Sequence, residues 1–281
     1  MLIFNKKADL TSFLSTYKNN NSSIGFVPTM GALHKGHLSL LEKSAQENDI
    51  SVVSIFVNPT QFNNPEDLEK YPRTLEADVE KIKTVSDKIV VFAPSVHEMY
   101  DGNTSSAHFS FDGLEHQMEG NHRPGHFDGV GTIVKKLFEI VTPTNAYFGE
   151  KDFQQLQIVK KMVEKEGMPI NIIGCPISRE ASGLAMSSRN ERLSAEDKDK
   201  AAFIYKTLKE AREHFATESV QYVKKYVYDA FAAHPEFKMD YFEIAAEDDL
   251  TPANTKENKQ YRGFIAVFLS NIRLIDNISL N

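Results

Sequence analysis

The chain has 281 residues, 41% hydrophobic and 25% charged, which suits one large or two smaller globular domains with length enough for a real core. A formal net charge of −7 excludes a broad basic face for nucleic acid, so an anionic small ligand would need a local basic pocket. No apolar run approaches the roughly 20 residues of a membrane helix, the opening MLIFNKKADLTSFL lacks the layout of a secretory leader, and the lone Cys175 allows no internal disulfide; together these read as a cytoplasmic protein.

Leu10, Phe13, Leu14 and Tyr17 have helical spacing and predict a helix before the first apolar strand, residues 24–27. That strand runs into PTMGALHKGH, residues 28–37, and then Leu38, Leu41 and Ala45 resume helical spacing. Further strand-like runs cover 50–57, 88–92, 146–148 and 170–177. Helical periods lie between them: Leu75, Val79, Ile82 and Val85, then Ile133, Leu137 and Ile140, then Leu156, Val159 and Val163. Strands alternating with helices predict right-handed crossovers and a doubly wound, mostly parallel, Rossmann-like α/β sheet. After Arg192 the pattern changes to two successive helices, the first capped by Ser194 and the second over 219–233. Short strands at 241–245, 263–269 and 272–275 follow, predicting a smaller C-terminal α+β domain. The boundary falls near 178–190, giving units of 1–180 and 181–281.

The stretch 28–37 carries the strongest functional signal. A strand handing over to a helix through a glycine-containing turn offers N–H groups and a partial positive charge to phosphate. Gly31 and Gly36 leave room for close backbone approach, and His34 and His37 share one side of the first turn, where both can donate to phosphate oxygens. A solvated cap is the plain alternative. Three further segments sit at predicted strand ends or at the boundary. Asn58-Pro-Thr-Gln61 offers amides suited to a hydroxyl-bearing substrate, although from this segment alone a plain polar turn is the favoured reading. Gly149-Glu150-Lys151-Asp152 places a cation at a strand end, with Gln155 one turn on and without the spacing of a Walker loop. Gly183-Leu-Ala-Met186-Ser187-Ser188-Arg189 can clamp a phosphate chain, and Gly183 allows that loop to move. His116, His122 and His126 lack paired metal-ligand spacing and read as a loop, while Cys175 reads as a small buried hydrophobe.

PTMGALHKGH, VNPTQF, YPRT, RPGHFDGV, YFGEKDFQQL, GLAMSSRN and RLIDN occur in the order seen in the pantothenate synthetase (pantoate–β-alanine ligase) family, which the chain resembles along almost its whole length. That family belongs to the nucleotidylyltransferases, with H-x-G-H matched by His34 to His37 and the mobile K-M-S-K-S-like loop by Met186 to Arg189. The resemblance implies an enzyme that joins pantoate and β-alanine through pantoyl adenylate, consuming ATP and releasing pyrophosphate and AMP. It implies an ATP site of Met30, Gly31, Ala32, Leu33, His34, Lys35, Gly36, His37, Gly149, Glu150, Lys151, Asp152, Ser178, Met186, Ser187, Ser188 and Arg189. Of these, His34, His37, Lys151, Ser187, Ser188 and Arg189 would act in catalysis. Gln61 and Gln155 would hold pantoate, with Gln61 also near β-alanine. Mg2+ would accompany ATP, with Asp78 its one candidate contact, and the protein would be a homodimer. The resemblance fails at Ser270-Asn271, where the family has a glycine-containing turn, which puts the local geometry of the small domain in doubt.

Another nucleotidylyltransferase acting on a phosphorylated alcohol is the competing reading, but Gln61 and Gln155 would be poor partners for a second phosphate. A tRNA-charging enzyme would need a surface this acidic chain lacks. A nucleotide sensor without activity would not need the reactive side chains, all of which are present.

Overall fold

The structure, a computed structural model, describes residues 1–281. The chain forms two compact units, Met1–Glu150 with Gln155–Pro176, and Lys151–Gln154 with Ile177–Asn281.

In chain order the first part runs β1 (Ile3–Phe4), α1 (Lys7–Asn19), β2 (Ile24–Thr29), α2 (Lys35–Glu47) and β3 (Ile50–Ile55). A 3-10 turn at Pro59–Gln61 follows, then α3 (Pro65–Glu69), α4 (Leu75–Val85), β4 (Val90–Phe92) and α5 (Val96–Tyr100). Next come α6 (Met118–His122), α7 (His126–Val141), β5 (Asn145–Gly149), α8 (Phe153–Lys165) and β6 (Asn171–Cys175). The six strands pair in parallel in the order β1-β4-β3-β2-β5-β6. The chain leaves β2 toward β3 on one side and leaves β5 toward β6 on the other. Strand order therefore reverses between β2 and β5, where the carboxyl ends of an open parallel sheet leave a crevice.

Both faces of this sheet are covered, so its strands are apolar at successive positions rather than at alternate ones. Val27, Val53 and Val91 face Leu40, Leu41, Val79 and Ile82 of α2 and α4. On the opposite face the Phe26 and Phe148 rings meet Phe138 of α7 edge-on, at 6.1 and 6.4 Å between centroids. Cys175 lies buried in the first core, and burial pushes its thiol up.

The second unit contains α9 (Ala195–Thr217), α10 (Val220–Ala232), β7 (Phe237–Ala246), β8 (Tyr261–Leu269) and β9 (Ile272–Ser279). The strands form an antiparallel sheet, β7-β8-β9, whose Phe242, Ile265, Val267 and Leu274 pack with Ile204, Leu208, Val223 and Val227 of the two helices. Ser194 and Ser219 cap the helices by accepting N–H bonds from Asp197 and Tyr222. Leu269 pairs with Ile272, so the β8–β9 hairpin turns on Ser270 and Asn271 alone, with φ of 47° and 63°. The turn departing from the family pattern thus keeps the left-handed geometry of a two-residue hairpin without a glycine.

The fold class read from the sequence, a parallel sheet wrapped by helices plus a smaller α+β unit, is the one the structure has. The two-residue edge strand β1 and the short helices α3, α5 and α6 are too brief to show a period, and the sequence reading did not contain them.

Candidate active site

The turn after β2 is held from beneath by one carboxylate. Gly31 and Ala32 have φ of 82° and 49°, which aligns successive N–H groups into a concavity suited to an anion. Asp78 of α4, fully buried, fills it: its oxygens accept from Ala32 N at 2.9 Å and Leu33 N at 2.7 Å, and from Thr74 Oγ1 at 3.2 Å. Lys81 Nζ donates to Leu33 O at 2.6 Å, and Thr29 Oγ1 accepts from Gly31 N at 3.2 Å. An added Cβ at Gly31 would lie 3.0 Å from Ile55 and 3.2 Å from Asp78, so glycine here serves both conformation and space.

His34 is the N-cap of α2, and the cap is built from imidazoles. Gly36 N donates to His34 Nδ1 at 3.2 Å, while His34 N donates to His37 Nδ1 at 3.3 Å, with the rings 4.0 Å apart. A backbone N–H can only donate, so each Nδ1 carries a lone pair and each ring's N–H sits on Nε2. The main-chain amides of Gly31, Ala32, Leu33, His34 and Gly36, which the sequence offered to phosphate together with the imidazoles, are hydrogen-bonded within the protein.

After β3, the turn Pro59–Gln61 lies against the start of α7. Gly129 permits this approach, since a Cβ there would come 2.4 Å from Thr60 O. Gln61 O accepts from His126 Nδ1 at 2.9 Å and Arg123 Nη2 at 3.2 Å. Asn58, completely buried, donates to Gly129 O and Gln61 Oε1, both at 3.1 Å, and accepts from Tyr100 Oη at 2.6 Å. Gln61 Nε2 reaches Met30 Sδ at 2.9 Å, so the pantoate candidate touches the first residue of the ATP candidate stretch. Gly149 closes β5, and an added Cβ there would meet nothing within 4 Å; its missing side chain leaves open space. Gln155, half-buried, follows in α8.

In the second unit, Lys151 is fixed through its main chain. Asn277 Nδ2 donates to Lys151 O at 2.9 Å, and Arg262 Nη1 donates to Asn277 Oδ1 at 2.6 Å. The Arg262 guanidinium lies 4.0 Å over the Phe153 ring, which also meets Phe264 at 6.0 Å. These contacts explain why Lys151–Gln154 belongs to the second unit. The Lys151 ammonium has Asp152 at 3.7 Å.

The 178–190 segment is a small hairpin, with Arg179 bridging Ala185 and Met186 N donating to Ser178 O at 3.0 Å. Arg179 donates to both Asp276 oxygens, at 2.6 and 2.9 Å, and stacks 3.6 Å over Tyr205. Burial pushes the Asp276 carboxyl above the usual carboxylate range, against the opposing pull of the Arg179 guanidinium and of Asn277 N. Gly183 has φ of 93°, and a Cβ would strike the Tyr205 ring at 2.7 Å. The glycine thus meets a tight turn and a close ring. Ser187 Oγ accepts from Arg189 N, and Ser188 is buried.

The structure therefore joins Met30–His37 to Asp78 and Gln61 in the first unit, and Lys151–Asp152 to Asn277 in the second. Asp78 is hydrogen-bonded to the Ala32–Leu33 turn, and no group of three or more His, Cys, Asp and Glu is placed to hold a metal ion by itself. Tyr100, His126, Gly129, Arg262 and Asn277 were not picked out as site residues. RPGHFDGV and RLIDN contain most of them, but their partners lie far off in sequence: His126 meets Gln61 across 65 positions and Asn277 meets Lys151 across 126. No helix is long and apolar enough to cross a membrane.

The family model described as pantoate-beta-alanine ligase matches residues 2–279. The chain is 61% identical to the pantothenate synthetase of Flavobacterium psychrophilum and 53% identical to that of Christiangramia forsetii, covering 100% of each protein and of itself. Among solved structures it is similar to the pantothenate synthetase of Thermus thermophilus, at 41% identity and TM-score 0.92 over 100% of this chain and 99% of that one. It is also similar to the Francisella tularensis pantoate-beta-alanine ligase complexed with beta-gamma ATP and beta-alanine, at 36% identity, TM-score 0.82, and 100% and 98% coverage.

Proposed function

The chain belongs to the pantoate–β-alanine ligase family and is a ligase, and from that premise we propose that it makes pantothenate in two steps at the residues described above. ATP binds along Met30–His37, with Gly149–Asp152, Ser178 and Met186–Arg189 engaging the same nucleotide, and Mg2+ enters with its phosphates. A pantoate carboxylate oxygen attacks the α-phosphorus; that O–P bond forms as the bond to the β-phosphate oxygen breaks, giving pantoyl adenylate and pyrophosphate. The β-alanine amine then attacks the acyl carbon, a C–N bond replaces the C–O bond to AMP, and the amine proton passes to solvent.

The carboxylate is a nucleophile at neutral pH, so the first step needs no strong base. Its barrier lies in repulsion between anions and in the charge on departing pyrophosphate, which pre-aimed donors and cations reduce. The Nε2–H groups of His34 and His37, the Lys151 ammonium and the Arg189 guanidinium fill that role, with Ser187 and Ser188 as hydroxyl donors. Gln61 and Gln155 orient pantoate, and Gln61 also meets β-alanine. The observation supporting this most directly is the imidazole cap beside a Gln61 amide that touches Met30, at the carboxyl edge of the sheet near its switch point. A homodimer in the cytoplasm completes the reading.

Purified protein should form pantothenate, AMP and pyrophosphate only when ATP, pantoate and β-alanine are all present. Release of ADP and phosphate, or nucleotide turnover indifferent to pantoate, would exclude the proposal.

A further inference from the structure

Behind Gln61 lies a hydrogen-bond chain whose direction is fixed at its far end. The Gly129 carbonyl can only accept, so the Asn58 amide must turn Nδ2 toward it. Oδ1 then faces the Tyr100 hydroxyl at 2.6 Å and the Thr60 hydroxyl at 3.2 Å. The second Nδ2 hydrogen points at Gln61 Oε1, 3.1 Å away. Flipping the Gln61 amide would set donor against donor, so Nε2 must lie on the other side, where it reaches only the weak acceptor Met30 Sδ. Burial raises the Tyr100 hydroxyl above its ordinary range despite its bonds to Thr60 and Asn58, so it remains a donor at neutral pH. The Gln61 main chain is held separately by His126 and Arg123, leaving the side-chain amide as the part this chain controls.

We infer that Tyr100 is a positioning residue for the substrate acid: acting through Asn58, it makes Gln61 present N–H donors, which select a ligand bearing carboxylate or hydroxyl oxygens at that point. This rests on the reading of Gln61 as a pantoate contact. Without the Tyr100 hydroxyl, Asn58 Oδ1 keeps only the longer Thr60 bond, so Asn58 is held by Gly129 O and Thr60 alone and orients Gln61 less firmly.

The test is Tyr100→Phe in the full chain, assayed with pantoate, β-alanine and ATP. The value of kcat/KM for pantoate should fall about 3- to 10-fold, the equivalent of one net hydrogen bond, while KM for ATP holds and the thermal midpoint drops by no more than the loss of one buried hydrogen bond requires. In a Gln61→Ala background the same substitution should change kcat/KM for pantoate no further, since both residues act through one contact. An unchanged pantoate constant, an equal rise in KM for ATP, or effects that multiply in the double variant would each overturn the inference. Absence of pantothenate formation by the unmodified protein would instead remove the proposed function. Full activity with an indifferent Tyr100→Phe removes only the positioning role.

Discussion

At the scale of single residues, the two imidazoles of the α2 cap are the centre of the proposed chemistry. Both Nδ1 atoms are taken by main-chain N–H groups, so ring orientation and tautomer are set before any ligand arrives. Replacing His34, His37 or Lys151 with Ala should slow ATP–pyrophosphate exchange by on the order of 100-fold or more each, as loss of a preorganised donor to a charged transition state does elsewhere. Near-normal exchange in all three would remove them from the chemistry. His34→Ala also deletes a cap, which costs about 1 kcal/mol of stability, so its rate must be read on protein shown to be folded.

Among the elements, the two most revealing are turns. Gly129 lets α7 approach the Pro59–Gln61 turn, and Gly129→Ala would force apart Thr60 and the helix. The expected result is a loss of about 1–3 kcal/mol in stability together with a raised KM for pantoate, measured by thermal melting and steady-state kinetics. In the β8–β9 hairpin the opposite change helps. Asn271 sits at φ 63°, and Asn271→Gly should stabilise the protein by up to about 1 kcal/mol, read as a higher melting midpoint with unaltered kinetics. These turns also mark the limit of what the sequence reveals. Buried strands such as 24–27 and 50–57, and helices with repeating apolar positions, show themselves because a buried face must recur at a fixed period. The segment at His34–His37 shows itself because its chemistry is contiguous. Tyr100 and His126 do not, since their meaning depends on Asn58 and Gln61, which the fold brings to them from 42 and 65 positions away.

For the molecule as a whole, stability toward alkali has an identifiable contributor. Tyr147 of β5 donates to Glu47 and accepts from Asn48 at the end of α2, which ties that helix to the sheet. Burial first, and the Glu47 carboxylate with it, push the Tyr147 hydroxyl up to about 12 against the bond from Asn48 that lowers it. The folded chain therefore holds this proton more tightly than the unfolded chain, whose tyrosines titrate near about 10. The stabilisation is complete below about pH 10 and is lost as pH rises through about 12. Tyr147→Phe should lack this part of the alkaline decline, and parallel denaturation curves for the two proteins across that range would contradict the assignment. The bond from Asn277 to Lys151 has a consequence in time. Its partners are 126 positions apart, so at about 5–20 residues per second a ribosome needs roughly 6 to 25 s after making Lys151 to supply its anchor. Through that interval the nascent chain can already own its pair of capping imidazoles, yet the Lys151 main chain has no fixed seat, and a translation product halted short of Asn277 would never acquire one.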